Sequence, residues 1–397
     1  MKITKIEVFR LNTCKNWQNS PIGCRVWTDT GLYGDGEAGI AYGIGGDAAF
    51  SMVTNLANLV VGMDPLRIEL IWETMYKKTF WGQNGGPIVF AGIAAIDTAL
   101  WDIKGKYFGV PVYQLLGGKV RDRLRAYASQ LQFGWGMVGE SENLWAVTPE
   151  DYAHNVKLAL DEGFDAIKID FFDRGEDGQP LSFLDQTGLL SAKQLKMVEA
   201  RMKAAREAAG DEVDIIMENH SYPDALGAVQ LAKLAEKYHI YAFEEPNTPT
   251  PLTVSYIARH TDVPLANGER IFSRWQYAEY FAKGLIQLAQ PDVGNCGGIS
   301  ETKKICDMAH AFDVGVQVHA AGSPLATNVA LQIECAIPNF IIHEHHVCNR
   351  SDTSVGLTKY NLQPEDGYFT VPDLPGIGNE FLREAIDRAY LYKVIEA

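Results

Sequence analysis

The 397-residue chain has no apolar run of the roughly 18 residues that a membrane-spanning helix needs. Its start, Met1-Lys-Ile-Thr-Lys-Ile-Glu-Val-Phe9, alternates like a strand and lacks the apolar core of a secretory signal. Positive charge is in short supply. Against 50 Asp and Glu stand 35 Lys and Arg, giving a net charge of −15. That balance speaks against nucleic acid or an anionic membrane surface as a partner. It leaves an anionic small molecule open, because a bound cation sets its own local field. Cysteine is also scarce. Cys14, Cys24, Cys296, Cys306, Cys335 and Cys348 are scattered without CxxC spacing, which points to reduced core thiols rather than a disulfide frame or a zinc site. Low-complexity stretches and charge blocks are absent. A cytoplasmic, globular enzyme fits these absences.

Length predicts two domains. Lys2 to Leu11 and Cys24 to Thr28 alternate as strands of a small antiparallel sheet, and Asp29-Thr-Gly-Leu-Tyr-Gly-Asp-Gly-Glu37 reads as turn. Helical patterns follow over Asp47–Val61, Leu66–Lys78 and Pro87–Phe108, the last stopping at Gly109. From Leu124 the texture changes to repeating strand–helix units. Eight candidate strands are Leu124–Gln130, Phe164–Asp170, Asp214–Glu218, Ile240–Glu244, Pro264–Gly268, Leu285–Gln290, Gly315–His319 and Phe340–Glu344. Eight parallel strands alternating with helices predict an α/β, TIM-type barrel. The expected division is a capping region over 1–123, a barrel over 124–363, and a tail over 364–397 with a final helix near Glu380–Tyr390.

Three of these strands end in an acid. Asp214-Ile-Ile-Met-Glu218, Ile240-Tyr-Ala-Phe-Glu244 and Pro264-Leu-Ala-Asn-Gly-Glu269 place carboxylates 26 and 25 residues apart, the repeat of equal strand–helix units. Acids at matching strand ends are costly to bury without a partner, and three together fit one shared hard divalent cation. Of the neighbouring pair, strand alternation sends Glu245 away from Glu244. The remaining strand ends are equally polar: Lys168-Ile-Asp170, Asn219-His220, Gln290-Pro-Asp292, His319 and Glu344.

This set resembles the enolase superfamily in its mandelate racemase/muconate lactonizing branch. The matching pieces are Phe243-Glu-Glu-Pro246, Asn267-Gly-Glu269, Gln290-Pro-Asp-Val-Gly-Asn-Cys-Gly-Gly298, His319, the segment Gly92–Lys106 and Leu115-Leu-Gly-Gly118. Within that branch Glu218 and His220, with Pro375-Gly-Ile-Gly378, are similar to acid-sugar dehydratases of the galactonate dehydratase type. The resemblance implies a modified (β/α)7β barrel, with an α+β capping domain formed by the N-terminal region and the C-terminal tail. It implies Mg²⁺ on Glu218, Glu244 and Glu269, a symmetric homo-oligomer, and a sugar acid (aldonate or aldarate) as substrate. Removal of the proton beside the carboxylate gives an enediolate, and loss of the β-hydroxyl gives a 2-keto-3-deoxy acid. Enolase-superfamily sites are known to pair a Lys or His base with Mg²⁺.

Elementary chemistry agrees with those roles. Three carboxylates leave about three of six Mg²⁺ positions for substrate and water. Histidine suits proton transfer near neutrality, and Asp292 on the neighbouring strand can orient His319. His220 is the candidate second catalytic histidine. Glu344 is expected to carry a proton and bind the substrate carboxylate, since nearby anions raise its pKa. Lys168 and Asp170 are candidate substrate-binding residues. Racemases of the family carry Lys-x-Lys here, so Asp170 counts against that chemistry; alternatively Asp170 pairs with Lys168.

An epimerase, racemase or cycloisomerase using the same enediolate is the competing enzyme reading, and a non-catalytic sugar-acid binder is the other. His343-Glu-His-His346 looks like a metal site, but alternation splits it between two faces. Gly43-Ile-Gly-Gly46 lacks a surrounding Rossmann unit and is expected to be a loop near the barrel mouth. Trp17, Trp81 and Trp135 are open between pocket lining and core. The loops Lys15–Asn19, Tyr42–Gly46 and Trp81–Gly86 are expected to read the substrate.

Overall fold

The computed structural model describes residues 1–11, 20–135 and 145–396. Strands β1 (Ile3–Arg10), β2 (Ile22–Thr28) and β3 (Tyr33–Ala38) pair antiparallel. Three helices cover this sheet: α1 (Gly46–Val60), α2 (Ile68–Lys78) and α3 (Pro87–Phe108). Pro87 sits in the first turn of α3, where its missing N–H costs nothing, and Gly109 ends the helix at φ 69°. Strand β3 falls where the sequence reads as turn. Gly34 and Gly36 let it lie directly on α3, because a Cβ on either would strike the carbonyl of Ala99 or Ala95. The two glycines mark a close approach rather than a bend.

Eight parallel strands follow: β4 (Arg123–Ser129), β5 (Ala166–Asp170), β6 (Asp214–Glu218), β7 (Ala242–Glu244), β8 (Leu265–Asn267), β9 (Leu288–Ala289), β10 (Gly315–Val316) and β11 (His343–His346). Their order is β10-β9-β8-β7-β6-β5-β4-β11, and the Val316–Phe340 bridge joins the two ends of the row. Seven helices fill the seven intervals: Pro149–Asp161, Ala192–Ala209, Ala225–Lys237, Pro251–Ala258, Arg274–Ala282, Gly298–His310 and Pro324–Glu334. Directly after β11 come the short helical turns Val347–Arg350 and Asp352–Val355 in place of an eighth barrel helix. The architecture is the expected (β/α)7β barrel with an antiparallel, helix-covered cap. Local sequence sets the helix starts. Thr148 with Asp151, and Ser191 with Gln194, close reciprocal capping boxes.

The tail touches the barrel and then the cap. Its first part, β12 (Tyr368–Thr370), pairs with the start of barrel strand β4, and β13 (Leu391–Glu396) then pairs with β1 of the cap sheet. The final helix shrinks to Arg383–Asp387, and the last barrel strand begins three residues later than expected.

Alternation decides what the barrel interior contains. Tyr127, Ala166, Ile216 and Ile342 pack in one inward cluster, and Ala242, Ala266 and Leu288 in another. Two residues further along, on the same strand faces, stand Lys168, Glu218, Glu244 and Glu344. The interior is therefore apolar below and charged at the carboxyl ends of the strands. Among the described residues no helix is long and apolar enough to cross a membrane. The five described cysteines are buried; Cys14 lies outside the described residues.

Candidate active site

Glu218, Glu244 and Glu269 each present a carboxylate oxygen within 4.8 Å of the others. Glu218 and Glu244 are buried at the ends of β6 and β7, and Glu269 lies just beyond β8. The trio fits a hard divalent cation by its own chemistry. All donors are carboxylate oxygens. Glu218 Oε1 is buried with no hydrogen-bond donor, although His220 Nε2 lies 3.2 Å away without the alignment of a bond. Burial pushes Glu244 up to about 7, with Glu218 and Glu344 adding to the repulsion against the pull of Lys168. Two buried amides steady the ligand set: Gln130 Nε2 donates to Glu218 at 2.6 Å and Gln290 Nε2 to Glu244 at 2.5 Å. Sequence reasoning gave these glutamines no role; their only signal was a strand-end position beside the acids.

Glu245 turns away, at φ 45°, into contact with Arg270 and Ser221. Arg270 also reaches Glu269. Burial opposes ionisation of Glu269, but His319 and Arg270 outweigh it and hold the carboxyl well below its usual range.

Two histidine–aspartate pairs flank the trio. On one side His319 Nδ1 lies 2.7 Å from Asp292 Oδ2, and its Nε2 lies 2.8 Å from Glu269. A parallel bridge between Asp292 and His319 fixes the pair through the backbone of adjacent strands. On the other side His220 Nδ1 lies 3.0 Å from Asp170 Oδ2. His220 and Ser221 both adopt left-handed backbone, at φ 46° and 63°, at a cost of about 1–2 kcal/mol each. That turn folds the ring back over Glu218. Burial opposes charge on both rings. Glu218 and Asp170 nonetheless raise His220 to about 10, and Glu269 and Glu344 raise His319 well above the usual imidazole range.

Lys168 is fully buried among carboxylates, 3.1 Å from Glu218, 2.5 Å from Glu244 and 2.8 Å from Glu344. Asp170 pairs with His220, and the ion pairs of Lys168 are with the glutamates. Glu344 departs from expectation. Burial raises it, but Lys168 and His319 overcome that and hold it well below the usual carboxylate range. Ser129 Oγ at 2.6 Å and Ala320 N–H at 3.0 Å also donate to it. Glu344 thus serves as an acceptor for Lys168, Ser129 and Ala320.

The remaining sequence candidates separate cleanly. His343 bonds Glu334 at 2.6 Å, and His345 packs on Phe164, Phe369 and Trp135, on the outer face of β11. Trp135 is core, whereas Trp81 is 91% exposed; Trp17 and the Lys15–Asn19 loop lie outside the described residues. Gly43–Gly46 leads into α1, with Ile44 fully exposed. The cap reaches the site's edge through Glu37, Gly39 and Thr98; Glu37, at the end of β3, accepts from Ser323 N–H at 2.9 Å. With His319 and Asp292 these residues line a cavity of about 20 Å³.

The comparisons with known proteins agree with this geometry. Residues 11–117 match the N-terminal domain of the mandelate racemase/muconate lactonizing enzymes, and residues 151–385 match the enolase C-terminal domain-like family. The chain is 33% identical over 395 residues to the D-galactonate dehydratase of Pectobacterium atrosepticum, covering 97% of this chain and 94% of the relative. A solved structure of a candidate dehydratase from Salmonella enterica serovar Typhimurium is 49% identical, covers 100% of both chains and superposes with a TM-score of 0.96. A member of the enolase superfamily from Salmonella Typhimurium is 42% identical over 100% of both chains, with a TM-score of 0.95. The chain belongs to the mandelate racemase/muconate lactonizing enzyme family of the enolase superfamily.

Proposed function

We propose that this protein is a Mg²⁺-dependent hydro-lyase that dehydrates a sugar acid, an aldonate or aldarate, to the 2-keto-3-deoxy acid. The observation that carries the reading is the pair of histidine–aspartate couples flanking three convergent carboxylates. Relatives of near-complete overlap that are named D-galactonate dehydratase support elimination over other fates of the same intermediate. The buried free thiols of Cys24, Cys296, Cys306 and Cys335 fit a reducing, cytoplasmic setting.

Glu218, Glu244 and Glu269 would hold the Mg²⁺, which when bound supplies Lewis-acid stabilisation of the charge developing on the substrate carboxylate. His319 takes the proton on the carbon beside that carboxylate at Nε2, while Asp292 holds Nδ1–H and fixes the ring. The carbon–oxygen bond at the β position then breaks. His220, backed by Asp170, delivers a proton to the departing hydroxyl, so that water leaves an enol; the enol becomes the ketone by losing its O–H proton to solvent and taking up a proton at the former β carbon. The carboxylates beside them favour the imidazolium form of both rings. Ligation of Glu218 and Glu269 by the cation would draw off that negative charge and favour the neutral, proton-accepting form of His319. Lys168 keeps three closely placed acids, Glu218, Glu244 and Glu344, compatible within one site.

A panel of aldonates and aldarates, assayed with Mg²⁺ for 2-keto product, tests the reading. Absence of keto product, with deuterium entering from solvent at C2 alone, would refute it. That outcome would favour epimerisation, which the two opposed histidines also suit.

A further inference from the structure

The inner face of β11 carries Ile342, Glu344 and His346 in alternation. Ile342 belongs to the apolar interior, and Glu344 to the charged layer beside Lys168. His346, paired in register with Ser129, stands one step nearer the mouth of the barrel, about 6.6 Å beyond Glu344 along the strand. Its ring is nearly buried, 9% exposed. Its tautomer is set by the backbone: the Cys348 N–H donates to His346 Nδ1 at 3.1 Å. Nδ1 is therefore the acceptor, and the hydrogen of the neutral ring sits on Nε2. Nδ1 is the ring nitrogen bonded within the chain among the described residues, which leaves Nε2 for a ligand. The surroundings keep the ring uncharged. Burial, with Lys168, His319 and His220 nearby, pushes it down to about 4 against the opposing pull of Glu344.

The eighth-strand donor expected at Glu344 is thus missing there and present two residues later. We propose that His346 is a substrate-binding, specificity-determining residue whose neutral Nε2–H donates to an oxygen of the sugar acid at the barrel mouth. A group that donates without carrying charge recognises a hydroxyl or carbonyl oxygen without adding to an already crowded balance of ions. Such a site penalises an acid lacking that oxygen, because the donor is then left unpaired.

The inference rests on the sugar-acid reading above, and its test separates the two. His346→Asn places an amide oxygen where it can still accept from Cys348 N–H but has nothing at the Nε2 position; His346→Gln reaches that position with an amide N–H. For the acid of the panel that the Mg²⁺-loaded wild-type protein binds most tightly, Kd is measured by calorimetry and KM and kcat by keto product. The Asn variant is expected to raise Kd and KM about tenfold with a much smaller change in kcat, and the Gln variant to recover most of that loss. An Asn variant that binds like the wild type overturns the proposal. So do equal losses in both variants accompanied by lower melting temperatures, since the ring then serves only as a cap. If the wild type binds acids without making keto product, the dehydratase reading falls while weaker binding by the Asn variant still supports His346. If it binds no acid, both fall.

Discussion

The two histidine–aspartate couples have the same parts and different supports. Each ring is held between an aspartate at Nδ1 and a glutamate of the trio at Nε2, at 2.7 and 2.8 Å for His319 and at 3.0 and 3.2 Å for His220. His319 is fixed by strand pairing, since its backbone bridges to that of Asp292. His220 is fixed by a strained turn, in which two consecutive residues have positive φ, and its side chain is more open, 25% against 13% exposed. A couple locked into the barrel wall suits the demanding step, abstraction of a weakly acidic C–H. A couple on a looser turn suits proton delivery to a leaving hydroxyl whose position varies with the substrate.

Removing the ring from each couple tests that division most directly. His319→Asn is expected to lower kcat about 10⁴-fold, at the upper end of what one acid–base group contributes, and to abolish C2 deuterium exchange while Mg²⁺ affinity by calorimetry stays within a few-fold. Retained turnover would remove His319 from catalysis. His220→Asn is expected to cost about 10²-fold in keto product yet leave C2 exchange measurable by NMR. Loss of exchange in both variants would break the comparison and make the couples equal partners.

The supporting acids should repeat the pattern on a smaller scale. Asp292→Asn and Asp170→Asn remove an orienting carboxylate, a change worth about 10- to 100-fold at outer-shell positions. The loss should be larger for Asp292, because that bond is shorter and the His319 ring is less exposed. Steady-state rates on one acid suffice, and a larger loss at Asp170 would reverse the assignment of roles.

Why these couples were legible in unequal measure is a matter of range. The acids of the trio end apolar runs at a constant repeat, and each run is a local signal, so Glu218, Glu244 and Glu269 could be read without a structure. Asp292 with His319 required only that two strands be neighbours. Asp170 with His220 required knowing that the chain reverses into left-handed backbone after Glu218, and nothing in Asn219-His220-Ser221 announces positive φ. Glu344 was misjudged because the charge that decides its state, Lys168, comes from a strand 176 residues earlier in the chain. Strand β3 was hidden for a related reason: Gly34 and Gly36 carry turn chemistry locally, and only the helix lying across them shows why they are glycines. Local chemistry placed the elements, while long-range charge and close packing decided how they behave.

The smallest expected effect concerns the cation-free protein, in which both rings are raised by their carboxylates. A histidine raised on folding contributes stability that is complete below its unfolded value, about 6.5, and is lost as pH rises through its folded value. For His220 that window runs from about 6.5 to about 10. The melting temperature of EDTA-treated protein should therefore fall between pH 7 and pH 10, and His220→Asn should show a shallower fall, since one of the groups releasing a proton is gone. Mg²⁺ should flatten the wild-type slope as well, because Glu218 and Glu269 then answer to another charge. A slope that His220→Asn leaves unchanged would mean that Asp170 and Glu218 do not hold this ring as imidazolium, and the likeness between the two couples would then be one of geometry alone.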